Sequence, residues 1–448
     1  ETIRQGDFVL LDHVMLAQRG LNWLGFFCLL VLVSVGLGIL LWSDHWQAGC
    51  VRQRDHLLVL CLIMSVAALM ALKIPGLGLP AVGLLLGSFY GYILATVTVG
   101  LLVVLLPVGG SVAVLPLFAA ACAALVGAWI APRLRSREEF ALLGGVVGLT
   151  QGIIHLILTL MFNSVSASVW YTVLRDSALF GVYGIAWSIV ALGVSPYLES
   201  FFDVVTPIRL AELSNPNRPL LKRLAADAPG TFQHTMFVAN LAEAAARALS
   251  HNVELVRAGT LYHDIGKMHD PLGFIENQMG GPNKHDLIDD PWVSADIIKK
   301  HVTEGLVMAK KHRLPKAIQA FIPEHQGAML ISYFYYQAQE IASQNPDMEI
   351  QDEDFRYDGP IPQSPETGIV MLADSCEAAL RSLNKEACAE EAYAMVNKIL
   401  RARWKDKQLI DSCLTRKDMD VIANVFVQVW QQFNHKRIAY PKGALTAK

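Results

Sequence analysis

The segment Leu261-Tyr262-His263-Asp264-Ile265-Gly266-Lys267 sets a histidine beside an aspartate, with a glycine and a lysine just beyond. Neighbours on a helix point about 100° apart. His263 and Asp264 therefore converge on one point only if a metal ion sits beside the backbone at a helix end. A carboxylate such as Asp264 can bridge two ions with its two oxygens, which a histidine cannot do. Lys267 lies one turn from Asp264 and can neutralise a phosphate oxygen. A bare His-Asp pair carries no information, whereas H-D-x-G-K between helices is far more specific. Further candidate ligands are His234 in Gly230-Thr231-Phe232-Gln233-His234, His301 in Ile298-Lys299-Lys300-His301-Val302, and His325 in Pro323-Glu324-His325-Gln326-Gly327. Asp374 ends the apolar stretch Val370-Met371-Leu372-Ala373, where a carboxylate needs a partner. Histidines and carboxylates without thiolates suit Fe, Mn or a similar ion better than a structural zinc site.

Such residues need helices to hold them. Asn215-Pro216-Asn217-Arg218-Pro219 reads as a turn, with Pro219 placed to open the next helix. Apolar residues at helical spacing predict helices over Thr235–Leu249, Ala295–Ala309, Lys316–Ile322, Ile369–Leu383, Ala389–Trp404 and Asp418–Phe433. No alternating strand stands out, and Asn345–Glu366 is too polar and Pro-rich to be regular. The reading for this half is an all-α domain.

The other half of the chain is unlike it. Of the 448 residues, 53% are hydrophobic and only 17% charged, and the mean hydropathy is +0.37. Soluble proteins carry closer to a quarter of charged residues. Charges are sparse between Leu21 and Leu198 and ordinary beyond, so a polytopic transmembrane helical bundle precedes the all-α domain. Candidate spans are Leu21–Trp42, His56–Ile74, Ser111–Ala131, Phe140–Phe162 and Ser177–Pro196, each near the ~20 residues a crossing needs. Gly76–Pro107 is apolar throughout and is either one over-long helix or two short ones. Lys and Arg favour cytoplasmic loops. Two crossings broken near Gly91 give seven spans and put Arg52 with Arg54, Arg133 with Arg135 and Arg137, and the C-terminal half on one side. The N-terminus is then outside and the C-terminal domain cytoplasmic.

Within Phe140–Phe162, Gly144, Gly148 and Gly152 recur every four residues and let a neighbouring helix approach closely. Gln151 and His155 share a face there; a hydrogen bond to a neighbouring helix is the simpler reading, a functional intramembrane pair the other. Small-residue faces also suit self-association as a homodimer. A net charge of -3 argues against binding a nucleic-acid polymer. The seven cysteines form no C-x-x-C pair, and Cys376, Cys388 and Cys413 suit a reducing cytosol. Residue 1 is Glu rather than Met, and Thr2–Leu10 alternates weakly, like the last strand of a domain whose remainder is missing, or a simple N-terminal tail.

From about Asn215 to Leu383 the sequence resembles the HD domain of the seven-transmembrane HD family of bacterial cyclic di-AMP phosphodiesterases. The carrying segments include Ala228–His234, Val238–Glu243, His263–Lys267, Phe274–Gln278, Ile331–Tyr335, Phe355–Pro360 and Met371–Ser375. The resemblance implies an extracellular ligand-binding domain ahead of Glu1, an unknown extracellular ligand, and the bacterial inner membrane as location. It implies that His234, His263, Asp264, His301, His325 and Asp374 hold two divalent transition-metal ions, Mn or Fe, that cleave cyclic di-AMP to pApA. The expected division is 1–20 as a remnant of that outer domain, 21–198 as the seven-helix bundle, 199–228 as a linker and 229–448 as the HD domain.

The expected mechanism is two-metal hydrolysis. Asp264 bridges, His234, His263 and Asp374 complete one ion, and His301 and His325 serve the other. Lys267 acts on the phosphate. His285, with Asp286, either shapes its loop or touches substrate, and Tyr333 or Tyr335 offers adenine a face to stack on. Asp352, Glu353 and Asp354 read as a solvated face, and His251, His269, His312 and His435 as structural or solvated. Family members usually carry two adjacent histidines where this chain has His325-Gln326, and an amide oxygen is the weaker, neutral ligand. That departure supports a second reading, a nucleotide-binding receptor with an impaired site. A third keeps the hydrolase and changes the nucleotide to cyclic di-GMP or (p)ppGpp.

Overall fold

A computed structural model of the chain describes residues 52–72, 78–109, 113–163, 169–344, 349–383 and 387–433, with Phe27, Val31, Ser34, Gly36 and Gly38. The alternating opening, Cys28, Cys50 and most of the expected first span lie outside the described residues. The described chain is helical. Its isolated β-bridge joins Leu330 to Arg356, and it divides after Phe202 into two compact units.

The first unit contains α1 (Gln53–Ala71), α2 (Leu79–Tyr90), α3 (Tyr92–Gly109), α4 (Val114–Ile130), α5 (Arg137–Phe162) and α6 (Trp170–Phe202). Four of these (α1, α4, α5 and α6) are long and apolar enough to cross a membrane, whereas α2 and α3 are shorter apolar helices. The expected break falls at Gly91, whose φ of 87° ends α2. At 1.5 Å per residue the 12-residue α2 spans only about 18 Å, against ~30 Å of hydrocarbon. Every α2 residue from Leu79 to Phe89 is buried, so neighbouring helices rather than lipid surround it. Gly83 and Gly87 make this possible. A Cβ on Gly83 would lie 2.3 Å from the Ala124 carbonyl oxygen, and one on Gly87 2.7 Å from Ala128 Cα.

α5 and α6 meet through the predicted glycine stripe: Gly144 faces Ser188, Gly148 faces Gly181, and Gly152 faces the Ser177 carbonyl. His155 Nδ1 lies 3.0 Å from Ser177 Oγ across the same seam. Gln151 is buried without a hydrogen bond to any described residue. The expected last span, Ser177–Pro196, lies within a longer helix: α6 runs from Trp170 through Pro196 to Phe202. Proline removes one helical donor, but neighbouring groups can hold such a turn together inside a bundle. Here Arg137 donates to Ser195 Oγ (2.9 Å) and to the buried Glu199 (2.9 Å) on that turn. Arg52 donates to the Phe202 carbonyl at 3.2 Å. The N-terminal ends of α1 and α5 therefore lie level with the C-terminal end of α6.

The second unit comprises α7 (Pro207–Leu213), α8 (Pro219–Asp227), α9 (Pro229–Ala248), α10 (Val253–Tyr262), α11 (Lys284–Ile288), α12 (Pro291–Lys311), α13 (Lys316–Gln319), α14 (Phe321–Glu324), α15 (Ser332–Gln344), α16 (Pro365–Ser382), α17 (Ala389–Lys405) and α18 (Arg416–Phe433). Three 3-10 turns between Ile265 and Asn277 follow α10. Proline at the first helical position starts α7, α8, α9, α12 and α16, so α9 and α16 begin earlier than their apolar periodicity shows. Ser364 caps α16 by accepting from the Thr367 amide. The predicted Lys316–Ile322 helix is instead two short ones. α16 is the central rod, packed against α9 and α17, with Ile369–Ala373 fully buried. The buried Tyr262 ties α10 to α7 by donating to the Leu213 carbonyl at 2.8 Å.

Gly87→Val should therefore destabilise the membrane unit by about 1–3 kcal/mol through overpacking. Gly145→Ala, which meets nothing within 4 Å, should be neutral. Thermal melting of the detergent-solubilised chain reads the difference, and equal melting of both variants would refute the buried-helix packing.

Candidate metal centre

Five helices deliver the site. α9 carries His234, the end of α10 supplies His263 and Asp264, α12 carries His301, His325 caps α14, and α16 carries Asp374. The glycine of H-D-x-G-K has a steric reason. A Cβ on Gly266 would lie 1.7 Å from the His301 carbonyl oxygen, so α12 rests directly on the motif's backbone. That contact brings His301 to Asp264.

Asp264 is 1% exposed, and its two oxygens face different partners. Oδ2 lies 3.3 Å from His263 Nε2 and 3.6 Å from His234 Nε2. Oδ1 lies 3.4 Å from His325 Nε2 and 3.6 Å from His301 Nε2. Asp374 Oδ1 closes the first side, 2.9 Å from His234 Nε2 and 3.6 Å from His263 Nε2. The four imidazoles are held from behind by Nδ1. His263, His301 and His325 donate to the carbonyls of Thr260, Ile298 and Ile322, and His234 to Glu377 Oε2 at 2.8 Å. Each Nε2 is thereby left pointing inward.

Electrostatics follow from this crowding. Burial opposes charge on His234, but hydrogen bonds to Asp374 and Glu377 push its pKa up to about 9. Burial likewise opposes charge on His263, yet Asp264 and Asp374 raise it to about 10. Burial takes His301 down to about 3. Burial would raise Asp264, but Lys267 and His263 hold it well below the usual carboxylate range. Asp374 is likewise held low, against its burial, by His234 and His263.

The residues fit a pair of cations. His234, His263, Asp264 and Asp374 each offer an atom within 4.8 Å of the others, as do Asp264, His301 and His325. Nε2 of His263, His301 and His325 and both Asp264 oxygens are buried without a hydrogen bond among the described residues. Asp264 Oδ2 has the Lys267 ammonium at 2.8 Å; orphaned buried polar atoms are costly, and cation ligation would account for the other four.

All six sequence-predicted ligands thus converge. Lys267 stands beside them, its Nζ 2.8 Å from Asp264 Oδ2 and 2.9 Å from Glu276 Oε1. His285, Tyr333 and Tyr335 are not among the converging groups. His285 donates through Nε2 to the Gly273 carbonyl and, with the exposed Tyr333, lines a cavity of about 330 Å³ that also bears Asp286, Asp289, Asp290 and Glu340. Tyr335 packs edge-on against Phe355. Three residues escaped the sequence reading. Glu377 lies one turn after Asp374, a D-x-x-E spacing that puts both acids on one helical face. Glu276 accepts from Lys267 and from Thr231 Oγ1. Tyr357 stands edge-on to His301, ring centres 5.9 Å apart.

Known proteins share this arrangement of parts. Residues 23–206 match the family model described as a 7TM receptor with intracellular HD hydrolase, and residues 231–379 match that of the HD domain. An uncharacterized protein of Synechocystis sp. is 58% identical over 453 residues, which cover 99% of this chain and 55% of the relative. The cyclic-di-AMP phosphodiesterase PgpH of Bacillus subtilis is 40% identical over 60% of this chain and 37% of its own length. PgpH of Listeria monocytogenes is 38% identical over 68% of this chain and 41% of its own. The Listeria HD domain, solved in complex with cyclic-di-AMP, superposes with a TM-score of 0.46, at 38% identity over 49% of this chain and 99% of that one. The chain spans about half or less of the length of these curated relatives.

A cation entering the cluster must displace the protons that His234 and His263 hold below about 9 and 10. Uptake of Mn(II) should therefore strengthen with rising pH, roughly tenfold per unit for each proton displaced. Calorimetry in buffers of different ionisation heat counts those protons; pH-independent uptake between 7 and 9 would contradict the assignment.

Proposed function

We propose that this chain, whose two halves match the 7TM-HD and HD family models and which is similar to the PgpH phosphodiesterases, is a membrane-bound, metal-dependent phosphodiesterase hydrolysing cyclic di-AMP to pApA. The carrying observation is the buried Asp264 with a separate imidazole pair at each oxygen, the arrangement a carboxylate bridging two ions requires. When bound, two divalent ions, Mn or Fe, would supply a low-pKa water and polarise the phosphate. His234, His263 and Asp374 would hold one position and His301 and His325 the other. Lys267, fixed between Asp264 and Glu276, places a positive charge behind the phosphate. The acidic cavity beside His285 and Tyr333 repels phosphate but suits a base, whose exocyclic amine can donate to its carboxylates while its ring lies on Tyr333. Tyr335, packed on Phe355, lies outside that lining.

The HD unit is read as cytoplasmic. Arg52 and Arg137 reach the turn of α6 that leads into it, so the basic clusters share its side, as the positive-inside rule asks. Seven spans follow, with division into 1–20, 21–198, 199–228 and 229–448. Regulation by an extracellular ligand and self-association as a homodimer complete the proposal. A receptor reading draws on Gln326, half-buried next to His325 and neutral.

The full chain in detergent, supplied with Mn(II) and cyclic di-AMP, should form pApA, followed by chromatography. Asp264→Ala should lose at least about a hundredfold in turnover together with its bound metal. Full activity and metal content in that variant would sink the mechanism. Turnover by Gln326→His alone would favour the receptor. Turnover of cyclic di-GMP or (p)ppGpp in preference would reassign the substrate.

A further inference from the structure

The two sides of Asp264 are built unequally. Oδ2 faces two imidazoles, the Lys267 ammonium at 2.8 Å and a second carboxylate, Asp374, whereas Oδ1 faces His301 and His325. The support behind the imidazoles differs as well. His263, His301 and His325 give their Nδ1 protons to neutral backbone carbonyls. His234 gives its proton to Glu377, a carboxylate only 2% exposed, whose other oxygen lies 2.9 Å from Arg381 Nη2. A carboxylate draws that proton more strongly than a carbonyl. It fixes the tautomer with the Nε2 lone pair inward and makes that lone pair the better donor. Asp374 and Glu377, one turn apart on α16, thus grip His234 from its two nitrogens. The second position has no such support, and its sequence neighbour Gln326 adds no charge.

We infer that Glu377 is a positioning residue that makes the His234–His263–Asp374 side the tight cation position, so that the two positions fill in order and the one at His301 and His325 stays exchangeable. Turnover then follows the free concentration of divalent cation, because the chain rests with one position filled. The inference rests on reading the cluster as the metal centre of a phosphodiesterase. Its test reads binding, so it can fail while hydrolysis stands, or hold if the substrate is reassigned.

The test uses the full chain in detergent, stripped of metal and titrated with Mn(II), with bound metal counted after rapid desalting. Two steps are expected, the first at least about tenfold tighter than the second. Glu377→Gln keeps a hydrogen-bond acceptor but removes the charge. It should weaken the first step about tenfold or more and leave the second unchanged. His301→Ala should abolish the second step and spare the first. Arg381→Ala, a half-exposed change that leaves Glu377 ionised, should hold the first step at least as tight, and it remains informative if Glu377→Gln fails to fold. One shared constant for both steps would overturn the inference. So would an unchanged first step in a folded Glu377→Gln, or a first step lost in Arg381→Ala.

Discussion

A buried carboxylate with no aligned hydrogen bond is the constraint around which the second unit is arranged. Asp264 is 1% exposed at the convergence of four imidazoles. Removing one partner of a buried ion pair typically costs ~3–5 kcal/mol, so such a group persists only where compensating charge is dense. The compensation comes from elements distant in sequence: His234 from α9, His301 from α12, His325 after α14 and Lys267 from the following turn. Asp264 therefore does structural and chemical work at one point. It ties four helices and the following turn together, and the same charge density suits it to cations.

Lys267 shows how this charge reaches the flanking loop. Its Nζ joins Asp264 to Glu276, and Glu276 and Asn277 are tied in turn to Thr231, three residues before His234. The absent side chain of Gly230 matters here, because a Cβ would lie 1.9 Å from the Glu276 carbonyl oxygen. The segment Ala228–His234 thus works as a docking edge for the loop after the His-Asp motif as well as a source of one imidazole. A substitution at Thr231 or Asn277 would reach the site through Lys267 without touching a ligand.

What the sequence disclosed follows from locality. His263, Asp264, Gly266 and Lys267 were recognisable because a helix end fixes their geometry within five residues. His234, His301 and His325 stand out by residue type and Asp374 by its apolar setting, but only a resemblance groups them with the motif, since no spacing rule links residues brought together by tertiary packing. Glu377 was within reach of helical periodicity, but its value depends on His234 standing opposite, which nothing along the chain announces. Tyr333 and Tyr335 stand out by type and His285 by its likeness to a family motif, and the fold gives them an acidic cavity and an aromatic cluster apart from the converging centre. Helix starts were misjudged where proline opens a helix ahead of its apolar pattern, as at Pro229 and Pro365.

The membrane unit reverses that balance, because lipid rather than chemistry dictates its pattern. Composition is enough to find spans, yet it says nothing about which apolar helix meets lipid. α2 has hydropathy like its neighbours but is enclosed, because Gly83 and Gly87 let Ala124 and Ala128 approach its backbone. Small residues drive such packing where no hydrophobic force distinguishes helix from lipid. α6 also continues beyond Pro196, where the apolar span of the sequence stops. In water a proline at that point would end the helix, but Arg137 bonded to Ser195 and Glu199 braces the turn and lets α6 continue to Phe202. Glu199 is buried and Arg137 mostly so, and their two charges are therefore worth more together than at a fully solvated surface. The end of α6 is therefore a fixed point of the unit, held by Arg137 on one side and by Arg52 at the Phe202 carbonyl on the other.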